Sequence, residues 1–363
     1  MKPVKDNKKY YRKLSVGYNG DKHFFRDVIL PFRKYISSVY TTPGISLGVS
    51  SARFVPDITP ARLLAFRRQL KAEKIEFNLV YNFDGVSDSG ILPRLVKIAD
   101  FLKPDLITAN GTFITDEFIR LGKYKLNISI INDINSLNQL HQLLERDPRG
   151  VITSYNIGRR KTYDLKYIAS VRKAFPKLKL KLMVNEGCVF ECPDQGFHSC
   201  SMTMGLGTNF DQGRFYCSKL APGRHWRFLT GQYIPPKFLA RYCGLADEFK
   251  IATRGVHGEP VGNEFIAGVL AEYVNEADIT IARGMLSSFG GSIFSGGFFQ
   301  DNGARPCCPP RQAARYLRPY PGDFFDVRTA CRHDCWQCSY CRDILRVPAK
   351  KRARKWPSDG HRP

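Results

Sequence analysis

The first 187 residues of this chain contain no cysteine, although the 363-residue sequence has eleven. This distribution excludes a disulfide framework spread over the whole chain, which is how small secreted domains are stabilised. No apolar run has the length of a membrane span, and no apolar stretch follows the charged first residues as it would in a secretory signal. We therefore predict a cytoplasmic protein with reduced thiols and without a membrane span.

Acidic residues are also scarce, with 33 Asp and Glu against 56 Lys and Arg, a formal net charge of +23. The excess is concentrated at both ends: residues 1–14 carry six Lys or Arg against one Asp, and residues 342–363 carry eight against two. We predict a basic extension over 1–13 and a disordered basic tail over 346–363. Such a tail favours polyanions, including nucleic acid, but a purely solubilising role explains it equally well. No helix-turn-helix, zinc-finger or RNP signature accompanies it.

Short apolar runs alternate with helix-like segments through the first half of the chain, and most of these runs end in asparagine. The asparagines are Asn19, Asn82, Asn110, Asn132, Asn156 and Asn185. Alternating strands and helices predict a parallel sheet. With an eighth strand at Glu248–Thr253, the pattern predicts an α/β fold, a (β/α)8 TIM barrel over residues 14–283.

The carboxyl ends of the strands face the active site in such barrels, so the asparagines map to that rim. An amide at the rim can hydrogen-bond a polar substrate, and we predict that the six form a substrate-binding cavity. Each asparagine taken singly is explained as well by capping of a helix or turn.

The first group of cysteines follows the seventh strand, in a predicted insertion over residues 187–233. Cys188, Cys192, Cys200 and Cys217 can together hold a [4Fe-4S] cluster, which takes four thiolates. Zinc binding and ordinary burial of the cysteines are the alternatives. Cys243 is a possible substitute for Cys200 as the fourth ligand.

Four further residues near this group are candidate catalytic residues. Lys250 and Arg254, at the end of the eighth strand, can bind an anionic substrate or offset a charged cluster, unless they pair with neighbouring carboxylates. His198 lies between two cysteines and is either a proton donor or a hydrogen-bonding loop residue. Glu186 is close to Cys188 in the sequence.

The second group of cysteines lies in a small predicted module over residues 305–345, after a Gly-rich loop or linker over 284–304. Cys331, Cys335, Cys338 and Cys341 predict a second [4Fe-4S] cluster or a zinc site. The spacing includes that of radical S-adenosylmethionine enzymes, but in those enzymes most of the catalytic domain follows the motif. Because the module is small, we expect metal binding to supply its stability.

Three segments resemble the collagenase-like peptidase family U32. Met183 to Cys188, Cys192-Pro193, His198 and Cys217 are similar to its cysteine segment, and the Tyr233–Pro236 and Glu248–Arg254 segments to later motifs. The likeness covers residues 14–283. It implies a barrel with one [4Fe-4S] cluster at its mouth.

Members of that family include subunits that hydroxylate ubiquinone precursors without oxygen and proteins needed to hydroxylate tRNA and rRNA bases. The resemblance therefore implies an iron–sulfur redox enzyme acting on a small molecule or RNA, with an electron-donor protein or a related partner subunit. Two alternatives remain open. One is a peptidase or other hydrolase, although no His-Glu-x-x-His motif is present. The other is a non-catalytic RNA-binding or partner subunit with a structural cluster.

Overall fold

Eight parallel strands form a closed barrel in sequence order. The computed structural model describes residues 4–43, 58–82, 90–196, 222–253, 261–289 and 314–346. Ser15 pairs with Lys250 where the first strand meets the last, which closes the ring. The strands are β1 Leu14–Gly17, β2 Ile36–Thr41, β3 Glu76–Asn82, β4 Leu106–Asn110, β5 Leu126–Ile128, β6 Ile152–Asn156, β7 Lys179–Met183 and β8 Glu248–Ile251. The predicted TIM barrel is confirmed.

Helices follow the strands on the outside of the barrel. In the described ranges, none of them is long and apolar enough to cross a membrane. The α-helices are α1 Leu30–Phe32, α2 Pro60–Ala72, α3 Ile91–Leu102, α4 Thr112–Leu121, α5 Leu137–Glu145, α6 Leu165–Ala174, α7 Asn263–Val274, α8 Ile281–Phe289, α9 Phe324–Thr329 and α10 Tyr340–Arg346. A π-helical turn precedes α1, and the 3-10 helices are Lys8–Tyr10, Ile130–Asn132, Arg159–Lys161, Pro222–Thr230 and Pro236–Tyr242.

Capping residues set where several helices begin. Thr59 accepts a hydrogen bond from the Arg62 amide at the start of α2, as its Thr-Pro sequence predicts. The fifth strand is shorter than the apolar run Leu126–Asn132, and the helix after it is shorter than the helix-like segment Ile134–Glu145. Ser129 caps a 3-10 turn directly after β5, and Asp133 has a left-handed φ of +47°. Helix α5 therefore begins at Leu137, where Ser136 caps it.

The barrel axis is filled largely by polar side chains. Thr108 donates a hydrogen bond to Asn78 and accepts one from Asn127, each over 2.9 Å, so three successive strands are linked across the interior. Ser38 donates to Ser15 over 2.7 Å in the same way. In a TIM barrel these positions are usually filled by Val, Ile and Leu. The apolar residues here lie on the outer faces of the strands, in the core shared with the helices.

A buried ion network completes the barrel interior. Both Lys179 and Lys181 lie 2.9 Å from carboxylate oxygens of Glu248, and Ser37 donates a hydrogen bond to the same carboxylate. Burial by itself would raise the pKa of Glu248, but the two lysines outweigh that effect and lower it to about 2. Glu248 is therefore ionised at neutral pH although it is fully buried.

The described part of the C-terminal module, residues 314–346, packs against the barrel and shares its core. The rings of Tyr320 and Tyr233 stack at 5.9 Å, and that of Phe325 packs edge-on against Tyr242 at 5.5 Å. The sequence predicted that metal binding would stabilise this small module. In the structure, aromatic residues before the cysteines also stabilise it, because they extend the apolar core of the barrel. Helix α8 also runs across the predicted boundary between barrel and linker at residues 283 and 284. A Cβ on Gly284 would lie 2.4 Å from the Tyr320 hydroxyl, so only glycine allows this close packing.

Candidate active site and thiol centre

Several rim asparagines are held by the protein itself; besides the three described next, Asn156 donates from Nδ2 to the Ile128 carbonyl over 2.9 Å. The Asn185 amide donates to the carbonyls of Ala252 and Ser287 and accepts from the Ala252 amide. Asn19 donates to the Val261 carbonyl over 2.7 Å, and Asn132 to that of Ala109 over 3.2 Å. Their amides join neighbouring loops and strands, the role expected of capping residues.

Two rim asparagines have buried oxygen atoms without a partner among the described residues. These are Oδ1 of Asn82, at the end of β3, and Oδ1 of Asn156, at the end of β6. Asn110 pairs in register with Asn82, so both lie at the same end of the barrel. Leaving a buried acceptor unpaired costs about 1–3 kcal/mol, which a hydrogen-bond donor on a ligand would recover. The Asn82 and Asn156 oxygens are therefore the atoms of the predicted rim that a donor on a ligand would satisfy.

Lys250 lies within β8, where its side chain is almost fully buried. Its Nζ is 4.3 Å from the centroid of the Tyr40 ring, a cation–π contact. The neighbouring acids are engaged elsewhere, since Glu248 pairs with the β7 lysines and Asp247 with Arg172. The predicted companion of Lys250, Arg254, lies outside the described residues.

Glu186 forms a buried ion pair directly after β7. Its Oε2 is 3.5 Å from Nε of Arg159, and its Oε1 accepts a hydrogen bond from the Cys188 amide over 3.2 Å. The carboxylate therefore fixes the start of the cysteine segment and balances a buried guanidinium. This contact gives Glu186 a positioning role. Sequence reasoning did not identify Arg159, since nothing in its local sequence marks it as buried.

The first cysteine group is described in part. Cys188 and Cys192 follow β7 at the carboxyl end of the barrel and are partly exposed. Burial raises the pKa of Cys192 above its ordinary value. Cys200, Cys217 and His198 lie outside the described residues.

Cys243, the possible substitute for Cys200, lies apart from the described cysteines of the first group. Cys243 precedes β8, and its nearest charges include Lys9 and Lys13, which precede β1. It therefore lies at the amino end of the barrel, opposite Cys188. Spacing along the chain did not reveal this. Strands β7 and β8 are parallel, so Cys188, which follows β7, and Cys243, which precedes β8, lie at opposite ends of the barrel.

The second cysteine group brings its thiols into electrostatic contact. Burial raises the pKa of Cys341 to about 12, and repulsion from Cys331, Cys335 and Cys338 adds to this rise. Arg328 acts in the opposite direction on Cys341 and Cys335. The module folds as a turn in which the amides of Gln337 and Cys338 donate to the Asp334 carbonyl. Trp336 is 77% exposed beside it.

Cys188 and Cys192, the described cysteines of the first group, lie on the same face of the molecule as the second group. The Phe190 ring, between Cys188 and Cys192, stacks on the His333 ring, between Cys331 and Cys335. A second link runs through Gly231, where an added Cβ would lie 2.7 Å from the Cys188 carbonyl oxygen. The Gly231 carbonyl in turn accepts a hydrogen bond from Nη2 of Arg328 over 3.0 Å.

The donor set of the second group suits iron or zinc, since both bind four thiolates. Arg328 supplies a positive charge that favours the thiolate form of Cys335 and Cys341. Within the described ranges, however, no three Cys, His, Asp or Glu side chains converge as metal ligands.

A cavity of about 740 Å³ opens beside the second thiol group. Its wall is formed by the segment after β6, the Phe190 loop, and the residues around Arg328 and Cys331. A smaller cavity of about 320 Å³ lies between α4 and α5 and includes Asn132. Sequence reasoning missed the larger cavity, because it forms only where the C-terminal segment packs on the barrel.

No family model matches the chain. Among curated proteins, it is similar to an uncharacterized protease of Methanocaldococcus jannaschii, with 24% identity over 216 residues. The match covers 57% of this chain and 62% of that protein, so it spans less than two thirds of the relative's length. Among solved structures, the chain is similar to the U32 peptidase Mk0906, with a TM-score of 0.48 and 12% identity over 68% of this chain and 94% of that one.

Proposed function

We propose that this chain, which is similar to an uncharacterized protease and whose cysteine segment resembles that of the collagenase-like peptidase family U32, is an iron–sulfur redox enzyme. The observation that supports the proposal is the stack of Phe190 on His333, which brings Cys188 and Cys192 to the same face as the second thiol group. Cys188 and Cys192 follow β7 at the barrel end that holds the active site in this fold.

The reaction proposed is an oxygen-independent hydroxylation, or a related modification, of an organic substrate or an RNA base. A thiolate-bound cluster, when present, supplies electron transfer, and an electron-donor protein or a related subunit would serve as partner. Cys331, Cys335, Cys338 and Cys341 would hold a second cluster or zinc. At the mouth of the barrel, the unpaired Oδ1 atoms of Asn82 and Asn156 would accept hydrogen bonds from the substrate.

Peptide hydrolysis is the second candidate, because the similar protein of Methanocaldococcus jannaschii is described as an uncharacterized protease. A hydrolase of this kind would need a metal-activated water or a nucleophile beside a base. The resemblance and the composition of the barrel mouth are compatible with both reactions. The cofactor content therefore decides between them.

The test is purification of the full chain without oxygen, followed by measurement of iron, acid-labile sulfide and zinc and by electron paramagnetic resonance. About four or eight iron atoms per chain, with matching sulfide, are expected for one or two cubes. Zinc without iron would overturn the redox proposal. A peptide-release assay, run with and without chelator on the same preparation, then tests hydrolysis separately.

A further inference from the structure

The cavity of about 740 Å³ beside the second thiol group has the size of a small-molecule site. It lies at the carboxyl end of the barrel, between the segments that follow β6 and β7 and the C-terminal segment. Its lining includes two polar side chains that are almost completely buried, Arg328 and Gln232. Their unpaired atoms indicate what the cavity accepts.

Arg328 is 2% exposed, yet its guanidinium is only partly used. Nη2 donates to the Thr230 and Gly231 carbonyls over 2.6 and 3.0 Å, and the group lies 4.8 Å from the Tyr163 ring centroid. Nε and Nη1 have no hydrogen-bond partner among the described residues. An unpaired buried donor on a charged group is costly, and a bound anion would remove that cost.

Gln232 follows the same Gly231 and is 1% exposed. Neither its Nε2 nor its Oε1 has a hydrogen-bond partner in the described part of the chain. The cavity wall therefore offers a buried amide donor close in sequence to the carbonyl that fixes the guanidinium. Most buried polar side chains are paired, so two incompletely paired ones lining one cavity point to a ligand.

The charge of the cavity wall favours an anion. Five cationic side chains line it against two carboxylates, Asp164 and Glu191; the cations are Arg159, Arg160, Lys161, Lys166 and Arg328. Arg159, Arg160 and Lys161 are paired with acids, at 3.5, 3.4 and 2.9 Å. Lys166 is exposed at the start of α6. A dianion would therefore bind more favourably in these surroundings than a neutral ligand would.

We propose that this cavity binds the phosphate group of a small ligand, with Arg328 and Gln232 as its buried contacts and Lys166 at its entrance. The Arg328 guanidinium donates from Nε and Nη1, and the Gln232 amide donates from Nε2. Phosphate matches these donors because it presents several acceptor oxygens and two negative charges. The site adjoins Cys331 of the second thiol group, but phosphate binding itself does not require iron.

Isothermal titration of the full chain with inorganic phosphate and with AMP tests the proposal, with uncharged adenosine as the control ligand. We expect saturable binding of phosphate and AMP, mutual competition, and no binding of adenosine. Affinity should fall as salt is raised from 0.05 to 0.3 M, roughly as for other exposed phosphate contacts.

Three variants locate the site. Arg328→Lys keeps the charge but loses the planar fork, and should weaken phosphate binding by about tenfold. Because Arg328 also holds two carbonyls, exposed Lys166→Gln provides a variant that leaves the core intact, with an expected loss of about threefold. Lys173→Gln, on the exposed last turn of the same helix, removes the same charge outside the cavity and should change affinity less than twofold.

Absence of saturable phosphate or AMP binding would overturn the proposal. So would an equal loss from Lys166→Gln and Lys173→Gln, which would mean that net charge alone attracts phosphate. Binding of long RNA without binding of phosphate or AMP would assign the positive charge to a nucleic-acid surface instead. Titrations of iron-loaded and chelator-treated protein separate this result from the redox proposal, since equal phosphate affinity is expected in both.

Discussion

Phe190 and His333 stack face to face, with ring centroids 3.5 Å apart and ring planes at 9°. Each ring stands between two cysteines of a different group, so one aromatic contact joins the two thiol segments. His333 has a left-handed φ of +64°, an uncommon conformation for a residue with a Cβ. The packed structure therefore holds the imidazole in place at some cost to the backbone.

The first prediction concerns this stack. Phe190→Ala and His333→Ala should each destabilise the fold, and a double-mutant cycle should give a coupling free energy of about 0.5–1.5 kcal/mol. Urea unfolding of the wild type, both single variants and the double variant measures it. Strictly additive losses would show that the two rings do not interact.

The second prediction follows from the buried carboxylate of Glu248. Its pKa is about 2 in the folded protein against an ordinary value of 4.5, so the folded state holds the proton less tightly than the unfolded state does. The stabilisation is fully present above about pH 5 and should be lost as the pH falls through 4.5 towards 2.

Unfolding free energies of wild type and Glu248→Gln, measured between pH 7 and pH 3, test this. At neutral pH the variant should be roughly 3–5 kcal/mol less stable, because Lys181 remains buried without its carboxylate. The difference should shrink on acidification. A constant difference across this range would contradict the assigned pKa.

The third prediction compares two rim asparagines. Asn185→Ala removes three hydrogen bonds to backbone groups and should destabilise by about 2–4 kcal/mol. Asn82→Ala removes an amide whose oxygen has no partner and should cost less than about 1 kcal/mol. Thermal unfolding of both variants measures the contrast, and equal losses would refute it.

The fourth prediction concerns metal content. Cys341→Ser should reduce the bound iron or zinc, because Cys341 lies among three other thiols. Cys243→Ser is the matched control, since Cys243 lies at the opposite barrel end, and it should retain the wild-type content. Elemental analysis of proteins purified without oxygen measures both. Equal loss from the two variants would mean that the effect is on folding.

The barrel was predictable because each of its units is local. Helix α3 and strand β4 begin and end at the predicted residues, since Gly90, a left-handed Lys103 and the apolar runs all lie within the segments themselves. Strand β5 was predicted too long, because the apolar residues Ile130 and Ile131 continue its pattern into a 3-10 turn.

The site was less predictable because its contacts join distant segments. Asn19, Asn82 and Asn185 all follow an apolar run in the sequence. What distinguishes Asn19 and Asn185 is their hydrogen bonds to the carbonyls of Val261 and Ser287, which lie 242 and 102 residues away in the chain. Arg328, the proposed phosphate contact, is buried against Thr230 and Gly231, about 100 residues earlier. No local pattern encodes such burial.

The polar filling of the barrel axis has a consequence for behaviour on heating. The hydration of charged groups becomes less favourable as temperature rises, so the penalty for keeping Glu248 and Lys181 out of water shrinks. Stabilisation from aliphatic contacts does not grow in the same way at high temperature. A cylinder whose centre is held by ions and amides is thus better suited to a hot environment than one filled with Val, Ile and Leu.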